Sequence, residues 1–261
     1  MKPKALVLFT AGTNCDEETV FAFQRAGARV DKFHINYLRE KKNILRNYGI
    51  LCLPGGFTYG DYIAAGKILA NELLTILREE IISFLKEERL VLGICNGFQV
   101  LVKAGILPAF TPSTYFARPT VTLDFNDSLR FECRWVYLRT NTESPCLFIR
   151  GLPELITLPV AHAEGKFLPK SEKILKRLEK NNQIVFTYVN EKGELAGYPY
   201  NPNGSVGNVA GICDPKGRIF GLMPHPERFT IKEQHPNWQK EKPEPIGLLI
   251  FKNAVEYARG I

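Results

Sequence analysis

A chain of 261 residues with 45% hydrophobic and 23% charged residues can bury a full core, so it does not depend on a disulfide or metal staple. The formal net charge of +7 does not mark a nucleic-acid binder, because bases alternate with acids in Leu38-Arg39-Glu40-Lys41-Lys42 and again over Ser171 to Lys180, as on solvated faces. None of the six cysteines (Cys15, Cys52, Cys95, Cys133, Cys146 and Cys213) belongs to a C-x-x-C pair, which leaves zinc and dithiol redox sites without support.

The first apolar run, Ala5 to Phe9, reads as a buried strand and is too short for a signal peptide. No later run reaches the length of a membrane span, so no membrane association is expected. A reducing cytoplasm is the expected setting. After a polar turn, Asn14 is a candidate cap for a helix with Asp16, Glu17 and Glu18 in its first turn. That helix runs to about Ala26 and ends at Gly27. Arg29 to Phe33 is a second strand, and the strand–helix–strand unit predicts a parallel sheet. A charged helix over Arg39 to Tyr48 is expected, then a third strand, Gly49 to Leu53, stopping at Pro54-Gly55-Gly56. The spacing of Ile68, Leu69, Leu73, Ile76, Leu77 and Ile81 predicts a long helix over Ile63 to Glu88.

After Gly105 the texture becomes strand-like. Candidate strands are Thr120 to Leu123, Phe131 to Leu138, Ile156 to Val160, Ile184 to Val189, Val206 to Ile212 and Arg218 to Leu222. One helix, Ile246 to Tyr257, closes the chain. No linker or repeat divides it. A single domain over 1–261 is expected, with an open, mostly parallel α/β sheet flanked by helices and a β-rich second half.

The most distinctive stretch is Leu90-Val91-Leu92-Gly93-Ile94-Cys95-Asn96-Gly97-Phe98-Gln99. An apolar strand leads into a helix, with a thiol at the turn between flanking glycines. A nucleophile on such an elbow is exposed by a strained backbone, and the helix dipole favours its thiolate. Inert core packing is also compatible with a lone cysteine, so the partners decide. A thiolate nucleophile needs a base, usually histidine, held by a third group.

Of the four histidines, His34 ends a strand and His235 lies in a polar, Pro-rich stretch, whereas His162 and His225 share one pattern. Both His162-Ala163-Glu164 and His225-Pro226-Glu227 follow strand-like runs. In an extended segment residues i and i+2 point the same way, so the glutamate can orient the ring in either case. The proline-flanked, rigid mount of His225 favours it, but spacing leaves both open. The Gly55-Gly56 turn is a candidate oxyanion site, with the Asn96 N–H as second donor. Gly60 to Lys67 fails as a phosphate loop, and neither G-x-G-x-x-G nor H-E-x-x-H is present.

These motifs together resemble the class I (triad) glutamine amidotransferases. Within that class the chain is similar to the glutaminase subunits of phosphoribosylformylglycinamidine synthase. The stretches carrying this resemblance are Gly12 to Asp16, Pro54 to Asp61, Phe131 to Val136, Pro159 to Gly165, and Asn201 to Ser205 through Ala210-Gly211-Ile212.

The resemblance implies a flavodoxin-like sheet and a glutamine-hydrolysing triad of Cys95, His225 and Glu227. Gly55, Gly56, Asn96 and Gln99 would serve the oxyanion and the substrate. His162 and Glu164 match a second motif near the site, without a role. No cofactor or metal is implied in this chain; ATP and magnesium would belong to a synthetase subunit that receives the ammonia. In many organisms a small third subunit completes the complex. The segment Thr230 to Pro245 is longer than in the shortest members and is similar to the large fused form. With no synthetase stretch in the chain, a separate subunit is expected. The alternatives are the glutaminase of another amidotransferase, such as guanylate or imidazole-glycerol-phosphate synthesis, a stand-alone cysteine hydrolase, and a non-catalytic regulatory subunit.

Overall fold

The computed structural model describes residues 2–41, 43–111 and 114–261. A single nine-stranded sheet organises them. Its parallel half is built from β1 (Lys4–Phe9), β2 (Arg29–His34), β3 (Ile50–Leu53), β4 (Leu90–Ile94) and β11 (Ile219–Leu222), in the order β2-β1-β3-β4-β11. β10 (Val209–Cys213), β9 (Ile184–Val189), β6 (Glu132–Thr140) and β7 (Leu155–His162) continue it as antiparallel neighbours. Among the described residues only β10 and β6 oppose the common strand direction. β5 (Val121–Phe125) and β8 (Glu164–Pro169) form a separate antiparallel pair.

The parallel strands β3, β4 and β11 are buried along their whole length, as strands covered on both faces are. Their cover includes α1 (Asp16–Arg25) against α8 (Gly247–Tyr257), with Phe23 and Phe251 edge to face at 4.9 Å, and α3 (Lys67–Ile76) against α5 (Asn96–Lys103). α1 carries its three acidic residues in the first turn, where the dipole stabilises them, and Gly27 at φ 97° turns the chain away.

Several expected boundaries move. The helix expected at Arg39 to Tyr48 is instead α2 (Ile35–Glu40), followed by a 3-10 turn at Ile44–Asn47. The His34 ring caps α2 by accepting the Asn36 N–H, so the helix starts earlier than its charge pattern suggests. Lys42, within that expected helix and the Leu38–Lys42 charge run, lies outside the described residues. The long helix expected over Ile63 to Glu88 is two helices, α3 and α4 (Arg78–Lys86), broken where Leu77 leaves helical geometry. Residues 57–66 form a separate loop instead of its first turns.

Cys15, not Asn14, stands at the N-cap of α1; the Asn14 side chain instead accepts the Cys15 S–H. α6 (Glu172–Lys180) is hidden in the sequence by its charge, since it buries only Leu178. The front of the Val206 to Ile212 strand is a 3-10 turn with Gly207 at φ 62°, and β8 has no counterpart among the expected strands. The late segment holds a 3-10 turn at Lys232–Gln234 and α7 (Trp238–Glu241). There His235 packs on Trp135 and Phe229, at ring distances of 4.7 and 5.5 Å.

Candidate active site

Parallel pairing brings three loops to one edge. Leu53 lies opposite Gly93, and Leu222 opposite Ile94. The segments that leave β3, β4 and β11 therefore emerge side by side: Pro54-Gly55-Gly56, Cys95, and Met223-Pro224-His225. Catalytic groups in open parallel sheets gather at this carboxyl end. The antiparallel half then curls back over the same edge, because the Pro159 carbonyl of β7 accepts the His225 N–H at 2.8 Å and the Ala161 carbonyl accepts the Cys95 S–H at 3.6 Å.

Cys95 sits at φ 49°, ψ −104°, a conformation that costs on the order of 1–3 kcal/mol for a non-glycine residue. Its N–H is fixed to the Leu222 carbonyl at 2.7 Å. The close approach needs Gly97, because a Cβ there would stand 1.9 Å from the Leu53 carbonyl oxygen. The thiol is 4% exposed at the start of α5, whose leading N–H groups have no partners within the helix.

His225 Nδ1 meets Glu227 Oε1 at 2.6 Å, both buried. The pair forms on a 3-10 turn, Pro226–Arg228, rather than on the extended segment expected from spacing. Burial opposes a charge on His225, but the Glu227 carboxylate and the Cys95 sulfur outweigh it and hold the imidazolium well above its usual range. Nε2 has no hydrogen-bond partner among the described residues and is the nitrogen left to exchange a proton with Cys95.

On the Nδ1 side lies Cys15, its sulfur 4.0 Å from that nitrogen and 3.1 Å from Arg228 Nη2. Burial pushes the Cys15 thiol up against the pull of His225. Cys15, His225 and Glu227 bring ligand atoms within 4.8 Å of one another. The Arg228 guanidinium already occupies the sulfur and opposes a cation there.

Gly56, at φ 145°, faces Thr13 across an isolated bridge. Phe57 N–H to Gly12 O (2.8 Å) and Cys15 N–H to Gly55 O (3.2 Å) bracket that bridge, so the Gly56 N–H does not close it. A Cβ at Gly55 would meet the His225 ring at 2.8 Å.

Asn96 and Gln99 are buried in one network. Asn96 Oδ1 accepts from Thr58 Oγ1 (2.7 Å), its Nδ2 donates to Gln99 Oε1 (2.9 Å) and Asp61 Oδ1 (3.2 Å), and Gln99 Nε2 donates to the Glu164 carbonyl. Burial, with the Glu164 carboxylate nearby, raises the Asp61 carboxyl to about 6.

The second H-x-E motif makes no such pair. His162 Nδ1 bonds Asn126 Oδ1 at 3.1 Å, while the Glu164 carboxylate accepts the Ala65 N–H at 3.1 Å and lies 3.6 Å from Lys103. Burial, then the charge on His225, lowers His162 to about 3. Cys15, Arg228, Thr58, Asp61 and the Ala161 carbonyl escape the sequence reading as site components. Cys15, Thr58 and Asp61 come from loops far along the chain, Ala161 lies in β7 and Arg228 adjoins Glu227; all but Arg228 fall in stretches that carry the family resemblance.

A family description, CobB/CobQ-like glutamine amidotransferase domain, matches residues 2–258. The PurQ protein of phosphoribosylformylglycinamidine synthase from Dehalococcoides mccartyi is 48% identical over 100% of this chain and 99% of its own length. The protein of that name from Archaeoglobus fulgidus is 44% identical over 97% and 96%. The solved structure of PurLQS from Thermotoga maritima superposes with a TM-score of 0.73 at 27% identity, covering 98% of this chain and 99% of that one. A GMP synthase protein of Thermoplasma acidophilum shares the fold, at a TM-score of 0.58 and 15% identity, over 100% of this chain and 96% of that one. By full-length similarity to these relatives, the chain belongs to the PurQ family of glutamine amidotransferases, the glutaminase subunits of phosphoribosylformylglycinamidine synthase.

Proposed function

We propose that residues 1–261 act as one glutaminase unit in which Cys95, His225 and Glu227 hydrolyse glutamine and pass the ammonia to a synthetase subunit. The observation that carries this reading is the buried 2.6 Å His225–Glu227 contact beside a thiol on a strained elbow. The Cys95 proton already rests on His225 Nε2, which the buried Glu227 carboxylate keeps protonated, and the thiolate attacks the side-chain carbonyl carbon of glutamine. The Gly56 and Asn96 N–H groups hold the oxyanion; one such donor is worth about 3 kcal/mol. Glu227 fixes the ring and balances the imidazolium. His225 then protonates the departing nitrogen, leaving a glutamyl thioester and ammonia. Neutral His225 next takes a proton from water, which attacks the thioester and releases glutamate and the thiol. Gly55 leaves room for the ring, and Gln99 helps hold the backbone groups of the substrate.

The synthetase subunit uses ATP and magnesium to place the ammonia on formylglycinamide ribonucleotide, giving the amidine of purine biosynthesis in the cytoplasm. Cys95→Ala tests this. With the synthetase subunit present, synthesis from glutamine should fall about 10⁴-fold or more while synthesis from ammonium salts persists. Loss of both in a folded variant, or survival of the glutamine reaction, overturns the assignment.

A further inference from the structure

The loop of residues 57–66 combines three features. It is strained: Tyr59, Asp61 and Ile63 have φ of 56°, 53° and 72°. A β-branched residue at positive φ is a genuine outlier, and such strain persists only where surrounding structure enforces it. It is pinned at both ends. Thr58 holds Asn96, the Tyr59 N–H reaches the Ala11 carbonyl at 2.7 Å, and the Ala65 N–H is held by Glu164. Its tip is bare: Tyr62 is 77% exposed and Ile63 84%.

The tip is part of a larger apolar rim. Phe57, at the base of the loop, lies against Phe131 with ring centroids 6.2 Å apart, and both are exposed. Phe125 stands opposite Glu164 in the β5–β8 register, and Leu129 in the same turn is 80% exposed. Exposed apolar side chains gathered in this way mark a protein–protein contact. The rim is continuous with the catalytic centre, since the loop begins one residue after Gly56 and Asp61 accepts directly from Asn96.

We propose that this loop is the docking sensor for the synthetase subunit, with Tyr62 and Ile63 covered by that subunit and Asp61 passing the contact to Asn96. The occupant follows from the proposed function, on which this inference rests. Ammonia is small, neutral and lost to water unless its acceptor seals the rim next to the thiol. A partner that covers the tip can shift Asp61, and with it the residue whose N–H holds the oxyanion. Asp61 is thus a positioning residue acting through Asn96, and hydrolysis is coupled to the presence of the acceptor.

The test mixes the full-length chain with the synthetase subunit and ATP, and measures affinity and the factor by which that subunit stimulates glutamine hydrolysis. The double variant Tyr62→Ser/Ile63→Ser should bind at least tenfold more weakly. Asp61→Ala should bind within threefold of wild type yet lose at least tenfold in stimulation at saturating partner, and Asp61→Asn, which keeps an acceptor for Asn96, should restore it. Tip variants that bind as tightly as wild type, or stimulation unchanged in Asp61→Ala, overturn the inference. Because the tip side chains are solvent-exposed, their variants keep the test decisive even if Asp61→Ala does not fold. A wild-type chain that the synthetase subunit fails to stimulate overturns the functional reading as well, so the two failures are distinguishable.

Discussion

His225-Pro226-Glu227 and His162-Ala163-Glu164 share one spacing, and the fold separates their fates. After β11, the chain makes a tight 3-10 turn that swings Glu227 back onto His225 Nδ1. After β7, it passes directly into β8, and Glu164 is carried off to Ala65 and Lys103. His162 is left with an amide partner. Asn126 Nδ2 donates to the Arg130 and His162 carbonyls and its Oδ1 accepts the Gly165 N–H, so His162 Nδ1 must be the donor to that oxygen. As a result one ring is charged and the other neutral. A carboxylate holds His225 protonated, whereas burial without one keeps His162 neutral. What the backbone brings to a histidine decides whether its ring carries a charge.

The sharpest break in this comparison is His225→Asn, which should lower glutamine hydrolysis about 10⁶-fold, as loss of a triad base does. Steady-state ammonia release measures it, and a variant within tenfold of wild type would remove His225 from the mechanism. Glu227→Gln should cost about 10⁴-fold, because the amide cannot stabilise the imidazolium and can select the wrong tautomer. An effect concentrated in kcat is expected, and a change confined to KM would argue against an orienting role.

On the other motif the expected losses are in stability. Asn126→Ala leaves buried donors and acceptors unsatisfied and should destabilise the fold by about 3 kcal/mol, read as a shift in the urea midpoint at constant slope. The smallest effect is a pH dependence. The unfolded chain protonates His162 below its ordinary value of 6.5, whereas the folded chain resists until about 3. The stability from His162 is therefore complete above pH 6.5 and is lost as pH falls toward 3. Between pH 7 and 5 that loss is about 2 kcal/mol. His225, raised in the fold, loses nothing over the same interval, since its contribution is complete below pH 6.5 and fades only as pH rises through its folded value. His162→Gln should abolish the acid-side loss, and identical pH slopes in the two proteins would show that His162 is not the group responsible.

Much of the parallel half is legible because β1, β3, β4 and β11 are short apolar runs; β1 gives way to a polar turn, β3 to Pro54 and β4 to the thiol. The elbow is legible too: Gly93 and Gly97 flank Cys95, and a side chain at Gly93 would strike α5 and one at Gly97 would strike β3. The charged helix α6 is not, because a helix that buries one side chain shows little apolar periodicity. Residues 63–66 of the 57–66 loop read as the first turn of a helix that the apolar spacing from Ile68 onward predicts. Nothing local announces that Tyr59, Asp61 and Ile63 turn to positive φ.

The sequence by itself determined the chemistry-bearing parts: a thiol at a strand-to-helix junction, glycines that allow close backbone approach, and two histidines each with a glutamate two residues on. These are local properties, set by residue type and by backbone sterics over a few positions. Only the tertiary structure decided which histidine meets its own glutamate, that β7 folds back over the thiol, and that Asp61 reaches Asn96. Those outcomes depend on strand order and on the course of the chain after each strand, where contacts join residues dozens to hundreds of positions apart. Spacing along the chain does not constrain such contacts, and the packing of the whole sheet does.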